Sequence, residues 1–534
     1  EEIIAMHSLV LRESEVACRN ASRRTRKAFM GEYAWSPEWR SYKMPVLLWT
    51  KVVKNFTGKV NNRYLRRLMR ACNNTDALNI NLQLAQHRLA KATAAFDEAC
   101  KRSLFLQEAH ENTLAEALAI KNKTTKAIEL KKISHIKQQK RQAARVKTAR
   151  KLPGKGLATK LIEKTPEGER VLEEQEELVR ASACENCNRF TNCFQCSFLQ
   201  GQLLADIGIL ADGPAIGQIM AGTYIPPPAC NEYEVLLLQE LKMPDAIREN
   251  PLPPPKVSTE EHQYGWQRQR ESTAGEPTSL DFSLHIAASY DAALADMDAT
   301  LRSIPLEVGF SPIEWERVTD CSIPKKANVL YVDKMRTICL MDPAFNINNK
   351  FYGSKLMAHS ERLGTLADEQ SGSRKGRRSA EVALQKVLTM DILRQKRRAG
   401  FLCSNDAIQC YDNIVHNIAM LSMRSRGAHP NALHSLFSTL QNAEHAVMTG
   451  YGVSEPQYGG RQRKAAGLTP IQGILQGNGM GPFVWAFIST ILIGCMHTMG
   501  YTSYLQGAMT ALVIRMMGYA FVDDTDLTIT SRDN

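Results

Sequence analysis

The chain has 534 residues, which is enough for roughly three domains of typical size. Its apolar content of 44% supports ordinary cores and argues against wholesale disorder, and thirteen cysteines in so long a chain do not make a disulfide scaffold. The formal net charge of +12 suits an anionic partner such as nucleic acid, although a soluble basic protein without such a partner would carry the same charge.

The two ends of the sequence bear on its compartment and completeness. No secretory signal opens it, so we expect an intracellular, reducing compartment, with nucleus and cytoplasm left open. The chain begins at Glu1 rather than at a methionine, and it stops at Asn534. We therefore expect it to be a piece of a longer reading frame.

The first predicted region, residues 1–160, is polar and helix-prone. An apolar stripe recurs there at alternating spacings of three and four, is interrupted at Ser103 and resumes at Leu106. Its members are Leu82, Ala85, Leu89, Ala92, Phe96 and Ala99. This spacing is typical of a coiled-coil seam, so we predict a coiled-coil-like segment, with self-association as one possible use of it.

A strongly basic segment lies at the end of this region. From Lys121 to Lys155 there are thirteen lysines and arginines against a single acid, Glu129. That imbalance is too large for an ordinary solvated helix face and predicts contacts with nucleic-acid phosphates. The alternative is a basic helix that only keeps the chain soluble.

The second predicted region, residues 161–264, is rich in cysteine and proline. Two Cys-x-x-Cys pairs fit a tetrahedral zinc site with four thiolates, although the five residues between the pairs leave only a tight loop. The pairs are Cys184 with Cys187 and Cys193 with Cys196. The alternative is four reduced thiols on a helix or turn.

Two proline runs, 226–228 and 253–255, are typical of stiff spacers and predict a linker that ends near residue 265.

The third region, residues 265–534, holds three chemistry-bearing segments: Asn405–Asp412, Leu475–Pro482 and Tyr519–Asp526. We predict that 399–403 is a short buried strand leading to Asp406 and that 414–423 is a helix behind it. The double aspartate at 523–524 lies between apolar and β-branched segments, as at the tip of a hairpin. Carboxylates from two neighbouring strands can hold a pair of Mg²⁺ ions around a phosphoryl transfer.

An apolar run at 483–500 is nearly long enough to span a bilayer. Ser489, Thr490 and His497 interrupt it, and it directly follows the second of these segments. We therefore predict a buried helix and no membrane partner.

Taken together, these segments resemble the reverse transcriptase family, and most closely the enzymes of non-LTR (LINE-like) retrotransposons, over residues 265–534. Asn405–Ile414 is similar to the family's first metal motif, and Phe521–Asp524 to its aromatic-x-Asp-Asp box. Leu475–Pro482 resembles its Gln-Gly…Ser-Pro motif, with Gly481 where serine is usual.

Supporting segments upstream also resemble the family. Residues 323–326 and 334–340 look like its fingers strands, and residues 369–379 look like its Gln-x-Gly-x-Arg-x-Gly-Arg-Ser loop.

The resemblance implies an α+β fold of the right-hand polymerase type, with fingers at about 265–395, a palm at about 396–534 and a thumb beyond the chain. It implies an RNA-directed DNA polymerase, a nucleotidyltransferase that adds deoxynucleotides to a primer 3′-hydroxyl with two Mg²⁺ ions. Its partners would be an RNA template, a DNA primer or target and deoxynucleoside triphosphates. The chain alone could be inactive without its thumb.

The family's metal and sugar contacts carry over to matched positions. Asp406 and Asp523 would ligate both metals, and Asp524 would support the site. The carbonyl of Ala407 would complete the shell of the second metal. Tyr411 matches the aromatic ring that excludes ribonucleotides by leaving no room for a 2′-hydroxyl.

The remaining matched positions concern the nucleotide. Gln476 and Gly477 would line its pocket. Arg336 would bind the incoming triphosphate, because a guanidinium is always charged and binds phosphate bidentately, and Lys326 is a weaker candidate for the same task.

Two rival interpretations stay open. A viral RNA-directed RNA polymerase shares both metal motifs, but it usually has aspartate at the position of Tyr411 and glycine at that of Val522, so DNA synthesis is favoured. A catalytically inactive nucleic-acid-binding scaffold with a palm fold would be expected to lose the metal carboxylates, which this chain keeps.

Overall fold

The computed structural model of the chain describes residues 2–25, 36–57, 62–74, 76–134, 136–137, 158–271, 273–326, 329–506 and 513–530. The chain mixes helix (57%) and strand (13%) in small sheets, in agreement with the predicted α+β class. It comprises two compact units. The helical unit is Thr25–Lys151, and the large unit combines Glu1–Arg24 with Leu152–Asn534.

The helical unit is built from helices that bury their apolar faces against one another. Helix α1 (Glu2–Thr25) belongs to the large unit except for its last residue. The described helices of the helical unit are α2 (Pro37–Thr57), α3 (Asn62–Ala71), α4 (Leu82–Lys101) and α5 (Ser103–Asn122), followed by helical residues 126–134. Leu48 and Val52 of α2 pack with Leu65 and Leu68 of α3 in one buried cluster. Removal of these side chains from water stabilises the unit.

The predicted apolar stripe packs within this unit. Ala85 is fully buried, and Leu89 and Ala92 pack against the cluster that α2 and α3 form. The Phe96 ring lies 5.4 Å from the ring of Trp39, the third residue of α2. The interruption of the stripe at Ser103 coincides with a break between helices, because α4 ends at Lys101 and α5 begins at Ser103. Self-association through the stripe stays a prediction.

Part of the basic segment is paired with acids of the same unit. Lys126 contacts Glu116 at 2.6 Å, and Lys137 contacts Glu111 at 2.6 Å. Residues 138–157 lie outside the described residues, so the predicted phosphate contacts of that part stay a prediction.

The described residues of the large unit form four sheets. Its strands are β1 (Leu161–Thr165), β2 (Gly168–Leu172), β3 (Arg317–Pro324), β4 (Met335–Met341), β5 (Gly400–Asp406), β6 (Glu444–Thr449), β7 (Gly452–Val453), β8 (Tyr458–Gly459), β9 (Ser503–Gln506), β10 (Val513–Met516), β11 (Gly518–Phe521) and β12 (Asp524–Thr530). Strands β4, β3, β6 and β7 follow one another in the largest sheet, with β8 also paired to β6, and β11, β12 and β5 form a three-stranded sheet. The remaining sheets are the pairs β1–β2 and β9–β10.

Helices surround these sheets. They are α6 (Gln175–Thr191), α7 (Gly201–Ile207), α8 (Ile216–Ala221), α9 (Glu232–Glu240), α10 (Asp245–Glu249), α11 (Thr259–Gln267), α12 (Phe282–Ala288), α13 (Ala292–Val308), α14 (Pro343–Arg362), α15 (Ser379–Gln395), α16 (His416–Arg424), α17 (Pro430–Asn442), α18 (Gly460–Ala465) and α19 (Gly481–Thr498). Short 3₁₀ turns occupy Asn192–Gln195, Ser197–Leu199, Ile313–Trp315 and Val332–Lys334.

One apolar core runs through most of the large unit. It includes Phe190 and Val257, which precede the predicted boundary near residue 265, and Phe345, Phe437 and Phe487, which follow it. The cysteine- and proline-rich stretch therefore packs in the same core as the residues after it.

Helix α19 contains most of the apolar run predicted to be a buried helix. By length and composition it is the one helix among the described residues that could cross a membrane, and half of it is buried inside the protein. Val484, Phe487 and Ile491 are almost fully buried in the core that α19 shares with α16 and α14.

The predicted strand before Asp406 is present, but the prediction that it is buried is wrong. Strand β5 is exposed along nearly its whole length, and Phe401 is 55% exposed. The physical reason is its place in the sheet. It is an outer strand, paired on one side only, with β12. The helix predicted at 414–423 is present as α16, which packs against α19 in the core, and its predicted place behind β5 stays a prediction.

Candidate active site

Two antiparallel strands bring the predicted carboxylates together. Strands β11 and β12 form the predicted hairpin, with only Val522 and Asp523 in the turn. Strand β12 pairs with β5 in a register that sets Asp524 opposite Asp406. Directly opposed residues of antiparallel strands have Cβ atoms about 5 Å apart. The first and last of the three predicted segments therefore meet at one end of this sheet.

A cleft of about 190 Å³ opens at this end of the sheet. Six of the predicted site residues line it: Asp406, Ala407, Tyr411, Gln476, Asp523 and Arg336. The cleft therefore combines carboxylates, an aromatic ring and a guanidinium, which come from segments far apart in the sequence.

The carboxylates of Asp406, Asp523 and Asp524 make no ion pair within the described part of the chain. Asp526, two residues further along β12, behaves differently: Lys386 and Ser404 both contact it, and the lysine lowers its pKa. Carboxylates that lack a cation of the protein are available to a metal ion.

Across the residues that the structure describes, no group of three or more metal-ligating side chains is gathered. A metal ion in this cleft would need oxygen ligands beyond the side chains present, such as backbone carbonyls, waters or substrate phosphates.

The acidic surroundings also act on a neighbouring thiol. Cys410 is buried in the wall of the cleft, and burial raises its pKa to about 12, with Asp523, Asp412 and Asp406 acting in the same direction. The thiol is therefore neutral at physiological pH and adds no charge to the cleft.

The turn that carries Asp523 is strained. Val522 has φ +60°, in the left-handed region, which a β-branched residue rarely adopts. Such a conformation costs of the order of 1–3 kcal/mol and persists only where the surroundings hold it. Here its backbone N–H donates to Gln370 Oε1 at 3.0 Å, and its carbonyl accepts from Gln370 Nε2 at 3.1 Å and from Trp485 Nε1 at 2.6 Å.

Gln370 belongs to the predicted loop at 369–379. The loop lies against the hairpin: the Ser371 N–H donates to Ala520 O at 2.8 Å, and the Ala520 N–H donates to Glu369 O at 2.9 Å. Gly372 is required for this contact, because a Cβ there would lie 2.1 Å from Val522 N. The loop therefore positions the aspartate turn, a role that its sequence pattern did not predict.

The loop is itself anchored by Arg374. Its guanidinium binds both carboxylate oxygens of Glu361 and donates to Ala367 O at 2.7 Å. The arginine lowers the pKa of Glu361 through that hydrogen bond.

Three residues predicted to bind nucleotide, Arg336, Gln476 and Gly477, lie on or beside β4, which pairs with β3. Of the predicted segments, 334–340 falls almost entirely on β4, whereas 323–326 overlaps β3 only up to Pro324. Their assignment as fingers strands stays a prediction. Arg336 lies on β4 and lines the cleft. The Cys339 N–H donates to Gln476 O at 2.8 Å. Gly477 follows with φ +127°, and a Cβ there would lie 2.4 Å from Cys339 O, so this close approach requires glycine.

Two predicted nucleotide-binding residues stand outside the lining of the cleft. Gly477 is not among the lining residues, and neither is Lys326, whose neighbour Lys325 takes that position.

Tyr411 lies in the wall of the cleft and packs against the core. Burial raises the pKa of its hydroxyl, so the group stays protonated. Gly481 lies beside the ring, and a Cβ at that position would be 3.2 Å from Tyr411 Cε1. Gly481 does not line the cleft. Glycine at position 481 therefore leaves room for the ring of Tyr411.

Sequence reasoning missed Arg189, which comes from α6. Its side chain is almost fully buried, pairs with Glu185 at 2.8 Å and donates to Met335 O at 3.0 Å and Asp333 O at 3.2 Å. It also lines the cleft, where it opposes the rise in the pKa of Asp412 that burial causes. No local signal places Arg189 at the cleft, because the backbone carbonyls that it binds, those of Met335 and Asp333, lie more than 140 residues away in the chain.

The four predicted zinc ligands lie on one helix and at the turn that follows it. Cys184 and Cys187 lie on α6, and Cys193 and Cys196 lie at the 3₁₀ turn after it. Burial raises the pKa of Cys193 to about 11. They do not form a group of ligands in the described residues, and zinc binding stays a prediction.

Neither the family models nor the curated proteins that were compared with this chain give a match.

Proposed function

We propose that the chain is an RNA-directed DNA polymerase of a retrotransposon, which transfers deoxynucleotides to a primer 3′-hydroxyl under the direction of an RNA template. One observation carries the proposal: Asp406 and Asp523 share a cleft with Arg336 and Lys325. Carboxylates without a protein cation suit divalent metals, and arginine and lysine suit a triphosphate. Nucleotidyl transfer requires both.

The donor set in the cleft fits Mg²⁺. This ion usually binds one or two carboxylates together with substrate phosphates, so two carboxylates without a third side-chain ligand agree with a site that the substrate completes. Asp406 and Asp523 would hold two ions, Asp524 would support them, and the carbonyl of Ala407 would add an oxygen. When bound, the ions would lower the pKa of the primer hydroxyl and stabilise the leaving pyrophosphate.

The remaining residues of the cleft would orient the nucleotide. Arg336 and Lys325 would bind the triphosphate, so that the α-phosphorus faces the carboxylates. The Tyr411 ring would lie beside the sugar, where it leaves no room for a 2′-hydroxyl. Catalysis then depends on positioning and charge neutralisation, and no protein nucleophile is needed.

The loop at 369–379 supports the same proposal. A turn that carries a metal ligand must hold its position while charge develops, and Gln370 and Trp485 both bind the carbonyl of Val522. Both the backbone N–H and the carbonyl of Val522 in this strained turn are therefore held by hydrogen bonds from neighbouring side chains.

Primer extension tests the proposal. The protein should extend a DNA primer on an RNA template with Mg²⁺ and deoxynucleoside triphosphates, and Asp523→Asn should lower the rate by several orders of magnitude. The matched control is Asp391→Asn, an exposed carboxylate paired with Arg394 at 2.9 Å, which should leave the rate unchanged. Near-wild-type extension by Asp523→Asn would contradict the assignment.

A binding measurement separates a defective site from a missing part of the enzyme. Mn²⁺ titrated into the protein and followed by electron paramagnetic resonance should bind the wild type and should bind Asp523→Asn more weakly. Mn²⁺ binding without extension would mean that the metal site is intact and that another part needed for extension is missing. Absence of Mn²⁺ binding in both proteins would refute the metal site itself.

A further inference from the structure

Helix α3 in the helical unit is strongly amphipathic. Leu65 and Leu68 are almost fully buried in the cluster with α2, whereas Arg66, Arg67 and Arg70 are exposed. The spacing of 3.6 residues per turn explains the division, because residues 66, 67 and 70 fall on one face and 65 and 68 on the opposite face. The ten residues of α3 include no acid that could offset the arginines.

Among the described residues, these three arginines have no carboxylate partner. The ion pairs among the described residues of the helical unit use Lys101, Lys126, Lys132 and Lys137. Three guanidinium groups therefore face solvent within one turn of helix, over about 6 Å of its axis. Like charges so close repel one another and are stabilised by a shared anion.

The charge of the whole chain is concentrated in the same unit. Residues 25–151 contain 27 lysines and arginines against nine aspartates and glutamates, a formal net charge of +18. Since the whole chain carries +12, the large unit is acidic overall, with a formal net charge of −6. The basic character that suggested an anionic partner thus belongs to the helical unit and not to the unit with the cleft.

We propose that the exposed face of α3 formed by Arg66, Arg67 and Arg70 binds the phosphate backbone of nucleic acid. Guanidinium groups bind phosphate oxygens bidentately, and a field of one sign over the unit attracts a polyanion. A lipid surface fits less well, because an interfacial helix needs a free apolar face and Leu65 and Leu68 are already buried. The surface is distinct from the basic segment at 121–155 and does not depend on the proposed polymerase activity.

Salt dependence of binding tests the proposal on the full chain. The probes are a 20-base-pair DNA duplex and an RNA hairpin of equal charge, with fluorescence anisotropy measured from 50 to 300 mM salt. Each phosphate contact contributes about 0.9 to the slope of log affinity against log salt on duplex DNA. Arg66→Ala, Arg67→Ala and Arg70→Ala together should therefore lower the slope by about 2 to 3.

The control removes the same charge elsewhere. Arg12, Arg248 and Arg394 are exposed arginines of the large unit, paired with Glu314, Asp245 and Asp391. Their triple alanine variant should keep the wild-type slope. Replacement of the three α3 arginines by lysine should keep most of the slope as well, since the charge remains. Far-ultraviolet circular dichroism confirms that each variant is folded, and a glutamine triple variant replaces the alanine one if that fails.

Several results would overturn the proposal. One is an unchanged slope in the alanine variant, and another is an equal loss in the control. If polyglutamate of the same charge competes for the protein as well as the duplex does, the surface would be assigned to an acidic protein partner. If the protein binds phosphatidylserine vesicles as well as it binds the duplex, the surface would be assigned to lipid. The difference between the duplex and the hairpin identifies the form of nucleic acid that is preferred.

Discussion

Gln370 should hold closed the turn that contains Val522 and Asp523. Its replacement can be tested without any assumption about activity. The side-chain amide is 1% exposed and uses its full capacity for hydrogen bonds. Its Nε2 donates to Val522 O and to Ser489 Oγ, both at 3.1 Å. Its Oε1 accepts from Gly372 N at 2.8 Å and from Val522 N at 3.0 Å.

The magnitude follows from these contacts. Gln370→Ala leaves the N–H groups of Gly372 and Val522 without this acceptor, and a buried orphan donor costs about 1–3 kcal/mol. Val522 is half-buried, so a water molecule can replace part of the hydrogen bond that its N–H loses. We therefore expect the turn to be destabilised by about 3 kcal/mol. The strain at Val522, of the order of 1–3 kcal/mol, favours opening once the amide is gone.

Hydrogen–deuterium exchange measures this local change. Exchange of amides in 518–526 should become about a hundredfold faster in Gln370→Ala, since about 1.4 kcal/mol corresponds to a factor of ten. The control is Gln200→Ala, which removes one exposed hydrogen bond, at 2.8 Å, to Phe194 O and should leave 518–526 unchanged. Adding Val522→Gly to Gln370→Ala should recover part of the protection, because glycine adopts φ +60° without strain. Exchange in Gln370→Ala within threefold of the wild type would refute the reasoning.

The other predictions concern sugar choice and zinc. Tyr411→Ala should raise ribonucleotide incorporation tenfold or more, about 1.4 kcal/mol, and lower deoxynucleotide incorporation only moderately. Single-nucleotide incorporation measures the selectivity, and a thermal melt shows whether the variant is folded. Unchanged selectivity in a folded variant would rule out a role of Tyr411 in excluding ribonucleotides. Gly481→Ser should push the Tyr411 ring toward the cleft and slow deoxynucleotide incorporation several-fold, whereas Gly265→Ser, in open space, should not. Protein purified without chelator should carry about one zinc ion per chain, and Cys187→Ser should release it. If elemental analysis finds no zinc, the interpretation of the four cysteines as reduced thiols holds.

The local elements around the cleft could be predicted from the sequence because their signals are local. Apolar and β-branched residues on either side of Asp523 are sufficient to indicate a hairpin, and β11 and β12 form it. Likewise, the interruption at Ser103 is visible in the spacing of the stripe before any partner is known.

The partners of these elements were decided by the tertiary structure. A period of two or 3.5 residues identifies an apolar face but not what covers it. The stripe on α4 packs against the cluster of its own unit, and β5 proved to be an outer, exposed strand. Similarly, whether Lys325 or Lys326 lines the cleft depends on the direction of the bend that follows the end of β3 at Pro324.

Residue type and spacing alone single out the aspartates, the basic stretch and the loop at 369–379 as candidates for chemistry. The contacts that hold these residues in place form only in the folded chain. Arg189 reaches the cleft from α6, and Gln370 binds a turn 152 residues away. The physical reason is that hydrogen bonds between distant segments exist only after the chain has closed on itself, and no local pattern records them.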